Sequence, residues 1–205
     1  MTKKKIEHPY YSFDKINSYN GVWNFCVGGR GIGKTWGRKH AVIRKFIRKG
    51  EQFIYLRRFQ TDLSAKDTFF ADIDEEFPEH DFRVFGREAQ IAPITTREDK
   101  KRVWQTMGYF VCLTAAQSKK GVSYHRVTEI IFDEFIIEKG FNQYLPAETT
   151  TFLNFYVTVD RFKDKTKVFF LANSVSITNP YFRKYNIKPD EDGEFVVKED
   201  GFIVA

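Results

Sequence analysis

The sequence of 205 residues is 42% hydrophobic and carries a formal net charge of +6. This length and composition predict one globular domain with a substantial core, and they argue against an intrinsically disordered chain. No apolar run approaches the ~20 residues that a membrane-spanning helix needs, and the lysine-rich start lacks the apolar stretch of a signal peptide. We therefore expect a soluble, intracellular protein.

Cysteine placement and charge narrow the class of protein further. Cys26 and Cys112 both lie in apolar runs, which predicts two buried reduced thiols in place of a disulfide or a metal pair. The basic excess favours a polyanionic partner, and nine Lys or Arg residues against one acid fall between Lys34 and Arg58. Part of that excess belongs to the solvated face of a helix, so both explanations of the charge stay open.

A glycine-rich segment follows the first predicted strand, the apolar run from Val22 to Val27. It reads Gly28-Gly29-Arg30-Gly31-Ile32-Gly33-Lys34-Thr35 and fits the phosphate-binding pattern G-x-x-x-x-G-K-[ST] at every fixed position. Glycine permits torsions by which successive backbone N–H groups surround an anion, and the positive end of the next helix completes the cradle. We therefore expect a nucleoside triphosphate here, with Lys34 on its β and γ phosphates and the Thr35 hydroxyl on Mg²⁺.

The remaining predicted elements alternate between helices and strands. Apolar spacing predicts a helix from Lys34 to about Arg48 that ends at Gly50. Further along we expect strands over 52–57, 108–115, 128–132 and 167–172, helices over 61–79 and 149–160, a hairpin over 81–94, an exposed turn over 95–102 and a small hairpin at Gly193. Because the strands are almost continuously apolar, the pattern predicts an α/β fold, a mainly parallel central sheet flanked by helices. Ligands of such sheets bind at the carboxyl ends of the strands.

The strand over 128–132 is followed by two adjacent carboxylates, Asp133 and Glu134. Acids at a buried strand end need a cation or a donor beside them, and Mg²⁺ at the phosphate loop supplies that charge. We therefore assign Asp133 to the metal and Glu134 to the attacking water, which it orients and deprotonates. An activated water suits a hydrolase and not a kinase, and no Asn-Lys-x-Asp segment indicates a GTPase, so ATP hydrolysis is the expected reaction. The extra strand over 108–115 is typical of the additional-strand catalytic-glutamate (RecA/FtsK-like) branch of P-loop ATPases.

Other polar side chains are candidates for the same reaction. Arg161 follows the helix predicted over 149–160, and a guanidinium suits the charge that develops on a transferring phosphoryl group; ring ATPases often supply it from a neighbouring subunit. Lys119 and Lys120 lie in a turn and are alternatives for a basic contact. Asn173 follows the last predicted core strand, where it polarises the attacking water, senses the γ phosphate or only caps the turn.

The order and spacing of several segments resemble a known family. These segments are Asn24-Phe25, Gly29 to Thr35, Gly50 to Tyr55 with Arg57-Arg58, Ile131 to Ile136, Asn173 to Ser176, and Asn179-Pro180-Tyr181-Phe182. Together they resemble the DNA-packaging (encapsidation) ATPases of small podophages, and the likeness extends over most of the chain.

The resemblance implies a motor that assembles as a pentameric ring at the portal vertex of a procapsid in the cytoplasm of an infected bacterium. Its partners would be double-stranded DNA, further copies of itself, the portal (connector) and packaging RNA, with no membrane. It assigns ATP to the loop with Lys34 as a catalytic residue, Mg²⁺ to Thr35 and Asp133, catalysis to Glu134, an arginine finger in trans to Arg161, and an interface role to Lys120, with Lys119 the alternative. Family members carry a C-terminal nuclease-like domain, so we expect residues 1–205 to be a single ATPase domain without it.

Two functions from other classes stay open. One is a small-molecule phosphotransferase, which would need an added acceptor in place of water. The other is a nucleotide-gated DNA-binding or assembly module with little turnover. Glu134 argues against the first, because a transferase does not need an activated water.

Overall fold

The computed structural model describes residues 10–94, 102–116, 123–138, 143–174, 178–188, 195–198 and 201–205. Within these ranges nine strands form one sheet: β1 (Trp23–Gly28), β2 (Gln52–Arg57), β3 (His80–Phe85), β4 (Glu88–Pro93), β5 (Gln105–Cys112), β6 (Val127–Asp133), β7 (Lys167–Asn173), β8 (Val197–Lys198) and β9 (Ile203–Val204). The α-helices are α1 (Asp14–Ser18), α2 (Lys34–Lys49), α3 (Leu113–Ala116), α4 (Glu148–Asp160) and α5 (Pro180–Lys184). No helix in this part of the chain has the length and apolar content to cross a membrane.

The strand order is β3-β4-β5-β2-β6-β7-β1-β9-β8. From β5 to β9 every neighbouring pair is parallel, while β3, β4 and β8 add antiparallel edges. The central strands are buried along almost their whole length, as parallel strands covered on both faces must be. The predicted α/β fold with a mainly parallel sheet is confirmed.

Aromatic side chains fill the space on both faces of the sheet. On one face α4 and α5 pack against alternate strand residues, among them Phe25 and Phe170, whose stacked rings lie 4.1 Å apart. On the other face α2 and residues 60–79 pack against a second set that includes Phe53 and Phe110. The sheet therefore lies between two apolar layers, and a ligand can reach it only at its edges.

An ionic cluster joins α2 to the sheet. The buried carboxylate of Glu129 on β6 pairs with Arg38, which also donates through Nε at 2.9 Å, and with Lys45 at 2.5 Å. Burial opposes ionisation of Glu129, but the two cations hold its pKa below the usual range. This cluster fixes the helix that follows the phosphate loop in one position on the sheet.

Two predictions of local structure are wrong. Residues 61–79 form no continuous helix but three 3₁₀ turns, Gln60–Leu63, Lys66–Thr68 and Asp74–Glu76. Side chains there compete for backbone groups: Asp62 accepts from the Phe59 N–H at 2.9 Å, and the Thr68 hydroxyl donates to the Ala65 carbonyl at 2.9 Å. The strand predicted over 108–115 runs from Gln105 and ends at Cys112, where α3 begins and the Thr114 N–H turns to the Arg58 carbonyl at 3.2 Å.

Other local predictions fare better. The helices that start at Lys34 and near Thr149 and the hairpin over 81–94 are confirmed; Gly50 ends α2 at φ +67° and Gly86 lies in the hairpin turn at φ +59°. Cys26 and Cys112 are buried free thiols, as predicted. Near the end of the chain a small hairpin joins β8 to β9. Both strands come after Gly193, so the turn predicted there does not form this hairpin. Gly193 itself and most of 95–102 lie outside the described residues.

Candidate active site

Three adjacent strands bring the predicted site residues to one edge of the sheet. Gly28 ends β1 and pairs in register with Asn173 at the end of β7, while Asp133 ends the neighbouring strand β6. These ends open into a cleft of about 330 Å³ lined by Tyr10, Arg30, Gly31, Gly33, Lys34, Thr35, Trp36, Asp72, Asp133, Glu134, Ala172 and Asn173. The phosphate loop, the carboxylate pair and Asn173 therefore share one cleft, as the sequence predicted.

The glycines of the phosphate loop are required by its backbone. Gly31 and Gly33 lie in the left-handed region, at φ +79° and +81°, where side chains are strained. Space is a second restriction at Gly33, because a Cβ there would lie 2.5 Å from the ring of Tyr10. Gly33 directly precedes α2, so the N–H groups of the loop lie beside the positive end of that helix. Both features favour an anion at this place.

Lys34 turns back into the loop. Its ammonium group donates to the carbonyl of Gly28 at 3.1 Å and to that of Gly29 at 2.6 Å. Burial lowers the pKa of Lys34, and the nearby carboxylate of Asp133 acts in the opposite direction. The cation is thus held at the loop, where phosphate oxygens are stronger acceptors than carbonyls.

Thr35 and Asp133 form the candidate metal site. The Thr35 hydroxyl lies 3.2 Å from each carboxylate oxygen of Asp133, and the hydroxyl of Tyr55 donates to the same carboxylate at 2.7 Å. Burial and the Asp133 charge raise the pKa of Tyr55 well above its usual value, so this hydroxyl stays a donor. Hydroxyl and carboxylate oxygens in this arrangement are the hard ligands that Mg²⁺ prefers. The residues present fit the predicted metal.

Glu134 lies at the rim of the cleft in a strained conformation. Its φ is +55°, its backbone N–H donates to Asp133 at 3.1 Å, and its side chain is 62% exposed. The carboxylate pairs with Arg57, Nη2 to Oε2, at 2.5 Å. No sequence motif indicates a role for Arg57, although its place at the end of β2 puts it on the same edge of the sheet.

A buried ion pair lies directly behind Glu134. Arg58 donates to the Glu148 carboxylate at 2.8 and 2.9 Å, and also to the carbonyls of Glu134 at 3.1 Å and Phe135 at 2.6 Å. The hydroxyl of Tyr181 donates to the same carboxylate at 3.0 Å. Arg58 and Glu148 are 90 positions apart, and neither showed a pattern from which this contact could have been predicted.

The remaining candidates have different placements. The Asn173 amide lies in the cleft and donates to Glu138 at 3.2 Å. Arg161 is exposed and follows the far end of α4, whose 13 residues span about 20 Å, so it is not part of the cleft of its own chain. Lys119 and Lys120 lie outside the described residues.

Comparisons with known proteins agree with this geometry. Residues 6–204 match the family described as podovirus DNA encapsidation protein (Gp16). The DNA packaging protein of Bacillus phage phi29 is 39% identical over 194 residues, 95% of this chain and 55% of that protein, and the one of Bacillus phage B103 is 41% identical over 178 residues. The chain thus spans about half the length of the curated relatives it matches.

Solved structures give the same result. The crystal structure of the N-terminal domain of the DNA packaging ATPase from bacteriophage phi29 superposes with a TM-score of 0.82 at 38% identity, covering 95% of this chain and 94% of that one. The large terminase ATPase domain of Thermus phage P74-26 shares the fold at 14% identity, with a TM-score of 0.57 over 87% of this chain and 69% of that one. The chain belongs to the podovirus DNA encapsidation protein (Gp16) family.

Proposed function

We propose that this chain is an ATP-hydrolysing domain that works in a ring to move double-stranded viral DNA into a procapsid. The observation that carries the proposal is the contact of Thr35 with Asp133 at 3.2 Å, at the mouth of a complete phosphate loop and beside Glu134. The names of the relatives, DNA packaging protein and DNA packaging ATPase, support the DNA-moving part.

The phosphate loop binds and orients the triphosphate. Its N–H groups and the start of α2 surround the β phosphate, and the Lys34 ammonium exchanges the carbonyls of Gly28 and Gly29 for phosphate oxygens. Thr35 and Asp133 hold Mg²⁺, which when bound neutralises charge on the β and γ phosphates. Tyr55 keeps Asp133 in place through its hydrogen bond.

Glu134 is the general base. Its carboxylate is exposed to the cleft, where it orients a water and accepts a proton from it. Arg57 restrains the carboxylate through the ion pair, and Arg58 fixes the peptide that carries it through the Glu134 and Phe135 carbonyls. Asn173, at the end of the adjacent strand β7, polarises the same water or senses the γ phosphate.

A neighbouring subunit completes the site. Arg161 is exposed and remote from its own cleft, which suits a guanidinium that stabilises developing charge in the next subunit. Lys120 is proposed to act at the same interface, with Lys119 the alternative. Because Arg161 would come from a second subunit, we expect ATP turnover to depend on protein concentration.

The partners and location follow from the family. We propose that the ring, with five subunits, operates at the portal vertex of a procapsid in the cytoplasm of the bacterial host, and that residues 1–205 act as one ATPase domain. Basic side chains contact the phosphate backbone of DNA without reading its sequence, so binding weakens as salt rises. Packaging RNA is a further proposed partner.

The test is steady-state phosphate release with Mg-ATP, with and without double-stranded DNA, over a range of protein concentrations. Glu134→Gln keeps the shape and removes the base, so turnover should fall at least ~100-fold while nucleotide binding is retained. Asp14→Asn, which likewise neutralises an exposed acid but lies on α1 and does not line the cleft, is the control.

Each outcome separates the candidate functions. Turnover that rises with concentration and DNA, and disappears in Glu134→Gln, supports the ring motor. Turnover that needs an added acceptor identifies a phosphotransferase, and DNA binding without phosphate release identifies a nucleotide-gated module. Turnover that is first-order in protein and indifferent to DNA contradicts the motor.

A further inference from the structure

The segment between α4 and β7, residues 161–166, is built around one buried carboxylate. We call it the α4–β7 loop. Asp160 accepts hydrogen bonds from four backbone N–H groups of this loop, those of Lys163 at 2.7 Å, Asp164 at 2.7 Å, Lys165 at 3.0 Å and Thr166 at 2.8 Å. These bonds hold three residues other than glycine in the left-handed region: Arg161, Phe162 and Asp164. Such strain persists only where the surroundings enforce it, and it concentrates at functional sites.

The α4–β7 loop presents charge and one apolar ring to solvent. Arg161, Lys163 and Lys165 are exposed, against the single acid Asp164. Phe162 is 83% exposed, the highest value among the exposed large hydrophobic residues described. A rigid, basic loop with a bare aromatic ring has the composition of a protein interface anchor.

The rim of the nucleotide cleft has the opposite charge. Residues 60–79, here called the acidic segment, contain seven acids and one lysine, in a chain whose net charge is +6. Asp72 lines the cleft and Asp62 lines the space beside it. Asp72 is paired with Lys39, Asp67 with Lys66, and Asp62 caps the Phe59 N–H. Even with these contacts the segment keeps a large negative excess, and Asp74 and Glu75 are exposed.

The two surfaces lie on opposite faces of the sheet. The α4–β7 loop follows α4, which packs on one face, whereas the acidic segment packs on the other face and reaches the cleft through Asp72. Because the sheet lies between them, the loop of one copy cannot pair with the acidic segment of the same copy. Two different surfaces that complement each other are the requirement for head-to-tail association.

The number of residues between the charged side chains limits how far apart they can lie on each surface. Lys163 lies two residues from Arg161, and Asp74 lies two residues from Asp72, which is at most about 7 Å in each case. If Arg161 of one copy enters the cleft of the next, Lys163 therefore comes close to the rim of that cleft, which includes Asp72 of the acidic segment. The loop that carries the arginine thus brings basic side chains toward a rim that carries acids.

We propose that the α4–β7 loop of one copy docks on the acidic segment of the next copy, and that this charge pairing selects and aligns the subunit interface. The inference rests on the ring proposed above and adds the surface on which the neighbour is recognised. Opposite charges on the two surfaces speed association and disfavour loop-to-loop contacts. The interface should weaken as ionic strength rises.

A charge exchange between two variants is the test. Lys163→Glu/Lys165→Glu reverses the loop, and Asp74→Lys/Glu75→Lys reverses the acidic segment, while Arg161, Asp160 and the cleft stay intact. Each variant alone repels its own copies, so the protein concentration for half-maximal Mg-ATP turnover should rise at least ~10-fold. In an equimolar mixture the reversed loop meets the reversed segment, and the native loop meets the native segment. Five subunits of two kinds cannot alternate completely, so the mixture should recover part of the activity and exceed either variant alone.

Controls make the outcomes separable. Arg44→Glu/Arg48→Glu carries the same charge change on exposed positions of α2 and should not shift the concentration dependence. Circular dichroism melts check the fold of each variant, and sedimentation velocity reports assembly independently of turnover. Folded variants that turn over like wild type, or a mixture no better than its components, overturn the charge pairing. Wild-type turnover that ignores concentration instead rejects the ring itself, and this interface with it.

Discussion

Asp133 ends the buried strand β6 and Asp160 ends helix α4, and each carboxylate accepts several hydrogen bonds, yet the two have different roles. Asp133 accepts from two side-chain hydroxyls, Thr35 and Tyr55, and from one backbone N–H. Asp160 accepts from four backbone N–H groups of one loop. A carboxylate held by hydroxyls can turn an oxygen to a cation, whereas one held by the backbone fixes the path of the chain. The first region is built for chemistry and the second for shape.

The largest expected effect tests whether the α4–β7 loop contributes to ATP hydrolysis in the cleft. Arg161→Ala should lower ATP turnover about 1000-fold, since arginine fingers contribute on this scale, and leave nucleotide affinity unchanged. Phosphate release and equilibrium binding of a fluorescent ATP analogue measure the two quantities. Arg161→Lys should recover only part of the activity, because an ammonium lacks the planar fork. An equal loss of binding would contradict a role in trans.

The second prediction concerns the helix between the two regions. Glu148→Gln leaves the buried Arg58 guanidinium without its counter-charge and should lower the free energy of unfolding by about 3 kcal/mol or more. Denaturant unfolding measures it, with the exposed Glu138→Gln as control. A loss below about 1 kcal/mol would show that the carbonyls of Glu134 and Phe135 suffice for Arg58.

The third prediction separates the two aspartates directly. Asp160→Asn should destabilise the fold by about 2 kcal/mol, because an amide nitrogen replaces an acceptor facing backbone N–H groups. Asp133→Asn should cost less than about 1 kcal/mol but abolish Mg²⁺-dependent turnover. Equal destabilisation by both substitutions would remove the distinction between them.

The contribution of Asp160 to stability depends on pH. Burial raises the pKa of Asp160, but its backbone donors outweigh this and hold it below the ordinary value. The stability that Asp160 contributes is therefore complete above about pH 4, the unfolded pKa, and is lost as the pH falls through the folded pKa. Unfolding curves at decreasing pH should show the difference between wild type and Asp160→Asn shrinking in that range.

The smallest expected effect is at Tyr55. Tyr55→Phe removes one hydrogen bond to Asp133 and should lower stability by about 1 kcal/mol, with turnover reduced less than about tenfold. Thermal unfolding and phosphate release measure the two effects. A loss as large as that of Asp133→Asn would mean that the tyrosine itself takes part in the reaction.

The sequence was informative where chemistry depends on neighbouring positions. The phosphate loop and the Asp133-Glu134 pair were found because a strand, a turn and specific side chains follow one another in the chain. The Arg58–Glu148 and Arg57–Glu134 contacts join residues 90 and 77 positions apart, and charged residues alone carry no information on such pairing. The helix predicted over 61–79 is wrong because a series of turns can bury the same apolar side chains as a helix would. These are Phe69, Phe70, Ile73 and Phe77.

Helix α4 joins the two regions physically. At its start Glu148 holds Arg58, which holds the peptide of Glu134; at its end Asp160 shapes the loop of Arg161. A helix of 13 residues is a stiff rod of about 20 Å. We therefore expect Glu134, the proposed base of its own site, and Arg161, the proposed arginine finger of the neighbouring site, to move together as the two ends of one rigid unit. In a ring, the state of one site would then be coupled to the state of the next through helix α4 of each subunit.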